Sequence, residues 1–160
     1  MQFKSIIAAI DIDDDLAEGV IRTADSLAQK DGAKLQVVSV WPVLAATGTG
    51  FSAELGGSSA IVTEALMEQH NEGRRDSLDA LRAMTDRLAP SATAVLLDGE
   101  APEEVAHYAE KQNADLIVTG SHQRKFWGSL FQGSASMELV REAPCAVFLV
   151  TKAFADTLTD

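Results

Sequence analysis

Five short apolar runs alternate with longer stretches in which apolar residues recur every three or four positions. Phe3 to Ile10 ends in Ile6-Ile7-Ala8-Ala9-Ile10, and Leu35 to Val40, Ala92 to Leu97, Leu116 to Val118 and Ala146 to Val150 are similar runs. Apolar runs without alternation are the mark of strands buried on both faces, as in a parallel sheet. Between them, Leu16, Val20, Ala24, Leu27 and Ala28 predict a helix over 14–30, closed by Asp31-Gly32. Leu66, Leu78, Leu81, Met84 and Leu88 stripe a long charged helix over 60–89, and Pro90 ends it. Gly73 weakens the middle of that helix, since glycine costs about 1 kcal/mol in a helix interior. Pro102 opens a third helix with Val105, Tyr108 and Ala109 inward, and Ser134 to Glu142 is a short fourth.

Strands alternating with helices imply right-handed crossovers and a parallel sheet. Five strands favour a doubly wound α/β fold of order 3-2-1-4-5, Rossmann-like, in one domain over 1–152 with a fraying tail at 153–160. That order brings the ends of strands one and four together at the switch point, where open α/β sheets bind ligands. Asp11 and Gly120 then line one crevice.

Composition narrows the partners. The 160 residues suffice for one core. A net charge of −11 argues against nucleic acid and anionic membranes, both polyanions. No apolar run approaches the roughly 20 residues that span a bilayer, and Ser5 to Ile10 is too short for a secretion signal and meets Asp11 at once. One cysteine, Cys145, allows no internal disulfide. The expectation is a cytoplasmic protein.

The candidate chemistry lies between strands four and five. Gly120, Gly128 and Gly133 punctuate a loop that leads into a helix opening with Gly133-Ser134. Glycines let backbone N–H groups approach an anion, and the free N–H groups of a helix start point at it. No acidic residue falls from Leu116 through Met137, although the chain has 24, and His122, Arg124 and Lys125 lie in that window. Arg124 and Lys125 are candidates for neutralising outer phosphates. Thr47-Gly48-Thr49-Gly50 lacks the Gly-Lys-Ser/Thr that a Walker loop needs. His70, His107 and His122 have no ligand spacing, so no metal site is expected. No nucleophile stands beside a base in any order that suggests acyl transfer. After strand one, Asp11-Ile12-Asp13-Asp14-Asp15 supplies carboxylates that favour the start of the first helix, one of them as its cap.

These residues resemble the universal stress protein family over Ile6 to Val150. Its nucleotide-binding members carry Gly, two residues, Gly, nine residues, then Gly-Ser or Gly-Thr. Gly120 and Gly133-Ser134 stand at that spacing, with Gln123 in the second place. Asp11, Val40, the turn Gly99-Glu100-Ala101-Pro102 and the segment Ala143 to Val147 are similar to the family's other marks. The resemblance implies ATP as ligand, with or without Mg²⁺. It implies a site of Ala9, Asp11, Val40, Thr119, Gly120, Gln123, Gly133, Ser134, Ala135 and Ser136. Val40 would touch the base. Asp11 is either a ligand of the ribose hydroxyls or a cap. The resemblance also implies a homodimer through the last strand, Cys145 to Val150, which in this order is a bare apolar edge.

The first expectation is therefore a stress-response module that binds ATP as a regulatory ligand. Two departures from the pattern, Gln123 and Ile12-Asp13, motivate the alternative: an interaction module of the non-nucleotide class. Its partner surfaces would be 41–59 and the loop holding Phe126 and Trp127. A slow ATPase ranks third, because neither a general base nor an arginine finger is in view.

Overall fold

A computed structural model describes residues 1–43, 59–121 and 135–158. The elements are β1 (Ser5–Ala9), α1 (Ala17–Asp31), β2 (Lys34–Trp41), α2 (Ser59–Leu88), β3 (Thr93–Asp98), α3 (Ala101–Lys111), β4 (Leu116–Gly120), α4 (Ala135–Glu142), β5 (Ala146–Val150) and α5 (Lys152–Asp156). The strands lie in the order β3-β2-β1-β4-β5 and every pairing is parallel. This is the doubly wound sheet that the alternating pattern predicts.

Two apolar layers cover the sheet. Ile6, Ala8, Val37 and Val118 point to one face and pack with Val20, Ile21 and Ala24 of α1 and Leu81 of α2. Ile7, Ala9, Val38 and Ile117 point to the other and pack with Val105 and Ala109 of α3 and Leu139 of α4. Alternate residues of β1 and β4 feed opposite layers, which is why both strands read as unbroken apolar runs. Among the described residues, no helix is long and apolar enough to cross a membrane.

Two local features differ from expectation. The helix predicted to start at residue 14 begins at Ala17, and its cap position is Leu16, whose side chain cannot cap. The carboxylates act one turn earlier. Asp11 Oδ1 accepts from the Asp13 N–H at 3.0 Å, and Asp14 Oδ1 accepts from the Leu16 N–H at 2.8 Å. Such turns compete with helix for the same backbone donors. Burial, followed by neighbouring carboxylates, pushes the Asp14 carboxyl up from its ordinary value, while the Leu16 N–H pulls it back. Second, where a tail was expected, Lys152–Asp156 forms α5, capped by Thr151 Oγ1 accepting from the Phe154 N–H at 3.3 Å. Ala155 of α5 rests on Gly19 of α1. A Cβ at Gly19 would stand 2.7 Å from the Ala155 Cβ, so the bare glycine makes this contact possible. At the other end of α1 the expected stop holds: Gly32 adopts a left-handed φ of 69° and donates to the Ala28 carbonyl.

The start of β4 is tied to β1 by one side chain. Asp115 Oδ2 accepts from the N–H groups of Lys4 and Ser5 at 2.6 and 2.9 Å. These two donors hold the Asp115 carboxyl below its ordinary value of 3.8. A carboxylate whose folded pKa is depressed stabilises the fold above the unfolded pKa, and that contribution fades as pH falls through the folded value. Asp115→Asn is therefore expected to lower the thermal midpoint at neutral pH. The gap to wild type should close as the pH drops below 3.8, and melting curves from pH 7 down to pH 2 measure both.

Candidate functional site

The C-terminal ends of β1, β2 and β3 open into a crevice of about 280 Å³, bounded by α2 on one side and the start of α3 on the other. Its size lies near the lower end of small-molecule sites, roughly 300–1,000 Å³. Asp11 and Val40, which come from different strands, both line it. Asp11 leaves β1 just after the strand ends, and Val40 is the penultimate residue of β2. Gly99 makes the third wall possible. It turns the chain from β3 into α3 with a φ of 140°, and it donates to the Trp41 carbonyl at 3.0 Å.

The lining mixes charged and apolar groups. Asp11, Asp13 and Glu100 bring carboxylates, while Val40, Trp41 and Leu96 bring carbon surface. Carboxylates accept hydrogen bonds from hydroxyl groups and repel phosphates. The crevice therefore suits an uncharged ring or a polyol. A larger groove of about 480 Å³ between α3 and the end of α4 is lined by Glu103, Glu104, Glu110 and Glu142 around His107, and that crowd of carboxylates rules it out for an anion. Among the described residues, no group of three or more His, Cys, Asp or Glu could hold a metal ion. Burial raises the pKa of the Cys145 thiol, which keeps it protonated at neutral pH and a poor nucleophile.

At the switch point itself, Ala9 and Thr119 are register partners across β1 and β4. Both are fully buried, as is Gly120. Among the described residues, the Thr119 hydroxyl has no hydrogen-bond partner. An unpaired buried hydroxyl costs about 1–3 kcal/mol, so such groups usually have a reason. Thr119→Val keeps the shape and removes that cost. It is expected to stabilise the fold by about 1 kcal/mol in urea unfolding, with the denaturant slope unchanged.

Of the residues predicted for the site, Asp11 and Val40 meet in the crevice, and Ala9, Thr119 and Gly120 stand together at the tips of β1 and β4. Ala135 and Ser136 belong to the first turn of α4. Gln123, Arg124, Lys125, Gly133 and Ser134 lie outside the described residues, as do Phe126, Trp127 and most of the 45–59 loop. Sequence reasoning missed Trp41, Ser39 and Ser77 as lining residues. Trp41 had one available signal: it follows Val40 directly and precedes Pro42, at a strand end that was already assigned to the site.

A parallel sheet wound on both faces, with a crevice outside the carboxyl ends of its strands, defines the class: an open, Rossmann-like α/β protein. Within that class the chain belongs to the universal stress protein family, whose model matches residues 2–151. It is 36% identical over 149 residues to a universal stress protein of Thermus aquaticus, covering 92% of this chain and 98% of the relative. Its fold is similar to that of a universal stress protein solved in complex with cAMP, with a TM-score of 0.60 at 16% identity, covering 94% of this chain and 98% of that one. It is also similar to the universal stress protein from Archaeoglobus fulgidus in complex with dAMP, with a TM-score of 0.52 at 22% identity, covering 93% and 98%.

Proposed function

We propose that this chain is a stress-response module that binds ATP as a regulatory ligand and works as a homodimer. The observation that carries the reading is the meeting of Asp11 and Val40 in one crevice beside the β1–β4 switch point. The carboxylate accepts from ribose hydroxyls, and the valine and its apolar neighbours receive the base. The Thr119 hydroxyl, one residue before Gly120 and without a partner among the described residues, supports a donor to the phosphates. Backbone N–H groups around Gly120 and Gly133-Ser134 would complete the phosphate seat, with Arg124 and Lys125 at its outer edge and Gln123 between. Ala9, Ala135 and Ser136 flank it.

Adenine nucleotides bound to two family members of the same fold, cAMP in one and dAMP in the other, support an adenine nucleotide as ligand. Mg²⁺ would accompany the triphosphate through phosphate oxygens and water. Net hydrolysis is not part of this reading. The apolar edge of β5 supports the dimer, with the partner's β5 alongside Cys145 to Val150.

Equilibrium dialysis of the purified protein against ATP, with and without Mg²⁺, tests the reading. Saturable binding of about one ATP per chain is expected. Folded protein that takes up no ATP at millimolar concentration refutes it, and the interaction-module alternative then stands.

A further inference from the structure

Trp41 is held in a way that its place at the end of a strand does not require. Its indole Nε1–H donates to His70 Nε2 of α2 at 2.9 Å. The two rings lie 5.3 Å apart, centre to centre, at 51°. One turn along the same helix, Gly73 lies under the benzo edge of the indole. A Cβ built there would stand 3.0 Å from Cη2 and 3.2 Å from Cζ2. The nitrogen side of the ring is thus clamped along its length by α2. Beside it, Arg74 forms a two-pronged ion pair with Asp98 at 2.6 and 2.7 Å, which fixes this stretch of α2 to the end of β3. Trp41 is half-buried and lines the crevice next to Val40.

Glycine in mid-helix carries a cost, and an indole N–H bound to a histidine is a specific arrangement. Both make sense if the ring must stand still. A rigid aromatic wall beside an apolar strand end binds flat, conjugated ligands by stacking and gains little from a sugar or a phosphate chain. We propose that Trp41 is the specificity-determining wall of the crevice: fixed by His70 and Gly73, it selects a planar heterocyclic base. This rests on the nucleotide reading above and goes beyond it, because it names the residue that distinguishes a base-bearing ligand from a bare phosphate ester.

The test compares wild type with Trp41→Leu and Trp41→Phe by ATP dialysis. It adds Trp41 emission in a Trp127→Phe background, titrated with ATP and with inorganic triphosphate. Trp41→Leu is expected to weaken ATP about tenfold, and Trp41→Phe, which keeps a flat ring, by less than about threefold. Emission should change with ATP and stay level with triphosphate. Gly73→Ala acts from the far side of the ring. Its better helix propensity offsets part of the cost of pushing the indole aside; ATP should weaken severalfold while circular dichroism shows the protein still folded at the assay temperature. If wild type binds ATP while Trp41→Leu and Gly73→Ala bind it equally well and emission is flat, the wall assignment is wrong and the nucleotide reading survives. If wild type binds no ATP, both fall.

Discussion

Ile117→Ala is expected to destabilise the fold by about 3 kcal/mol, within the range for emptying a buried isoleucine site. Ile117 is the second residue of β4, with Ile7 and Val147 as its parallel partners on either side. It is fully buried and packs in the layer formed with Val105, Ala109 and Leu139. Partial collapse is what makes some truncations cheap, and here it is blocked. β4 is hydrogen-bonded to a strand on each side, so its backbone cannot sink toward α3 without breaking two ladders. The cavity therefore stays open and its lining loses dispersion contacts outright. Against a typical total of about 5–15 kcal/mol for a single domain, such a loss is severe. Urea unfolding measures it, with an unchanged slope showing that the unfolded state is not the cause. Phe148→Ala on the neighbouring strand removes more atoms, yet Phe148 is 39% exposed at the sheet edge. Its cost to the monomer should be well below that of Ile117→Ala.

That contrast explains what the chain reveals without coordinates. The sheet is legible because each strand is a local signal. Ile6 to Ile10 and Leu116 to Val118 are apolar at every position, and only a strand covered on both faces needs that. Once five such runs alternate with helices, handedness and the avoidance of crossed connections leave few orders, and the observed one is among them. The order alone places Asp11 at the switch point, while Val40 entered the site through the family resemblance; both stand at carboxyl ends of neighbouring strands. What escaped notice depends on surfaces that meet only after folding. Gly73 reads as a flaw in α2 until Trp41 is seen against it. α5 has too few residues for any period to show, and its reason is a missing Cβ on α1. The late start of α1 follows from a contest between carboxylates and helix for the same N–H groups, which differ by little in energy.

Leu149→Lys is expected to split the proposed dimer, raising its dissociation constant at least about 100-fold, or roughly 2.7 kcal/mol. β5 pairs with β4 on one side only. Among the described residues, no strand pairs with its other side. Side chains around that edge are apolar on both faces of the sheet: Phe148 lies against Phe154 on one, and Leu149 alternates to the other, where exposed Val140 also belongs to the adjoining helix. Soluble proteins rarely leave such an edge bare, and a second copy related by a two-fold axis would continue the sheet and cover both faces at once. In a two-fold interface one substitution counts twice, because each copy carries it and the two cations are brought toward the same axis. The folded monomer should tolerate the change, since Leu149 is already 38% exposed in a single chain. Sedimentation equilibrium across a range of protein concentrations reads the dissociation constant directly. Leu66→Lys, on a 54% exposed position of α2, is the matched control and should leave the assembly intact. Were Leu66→Lys to split it and Leu149→Lys not, the subunits would meet through α2. The edge of β5 would then need some other cover.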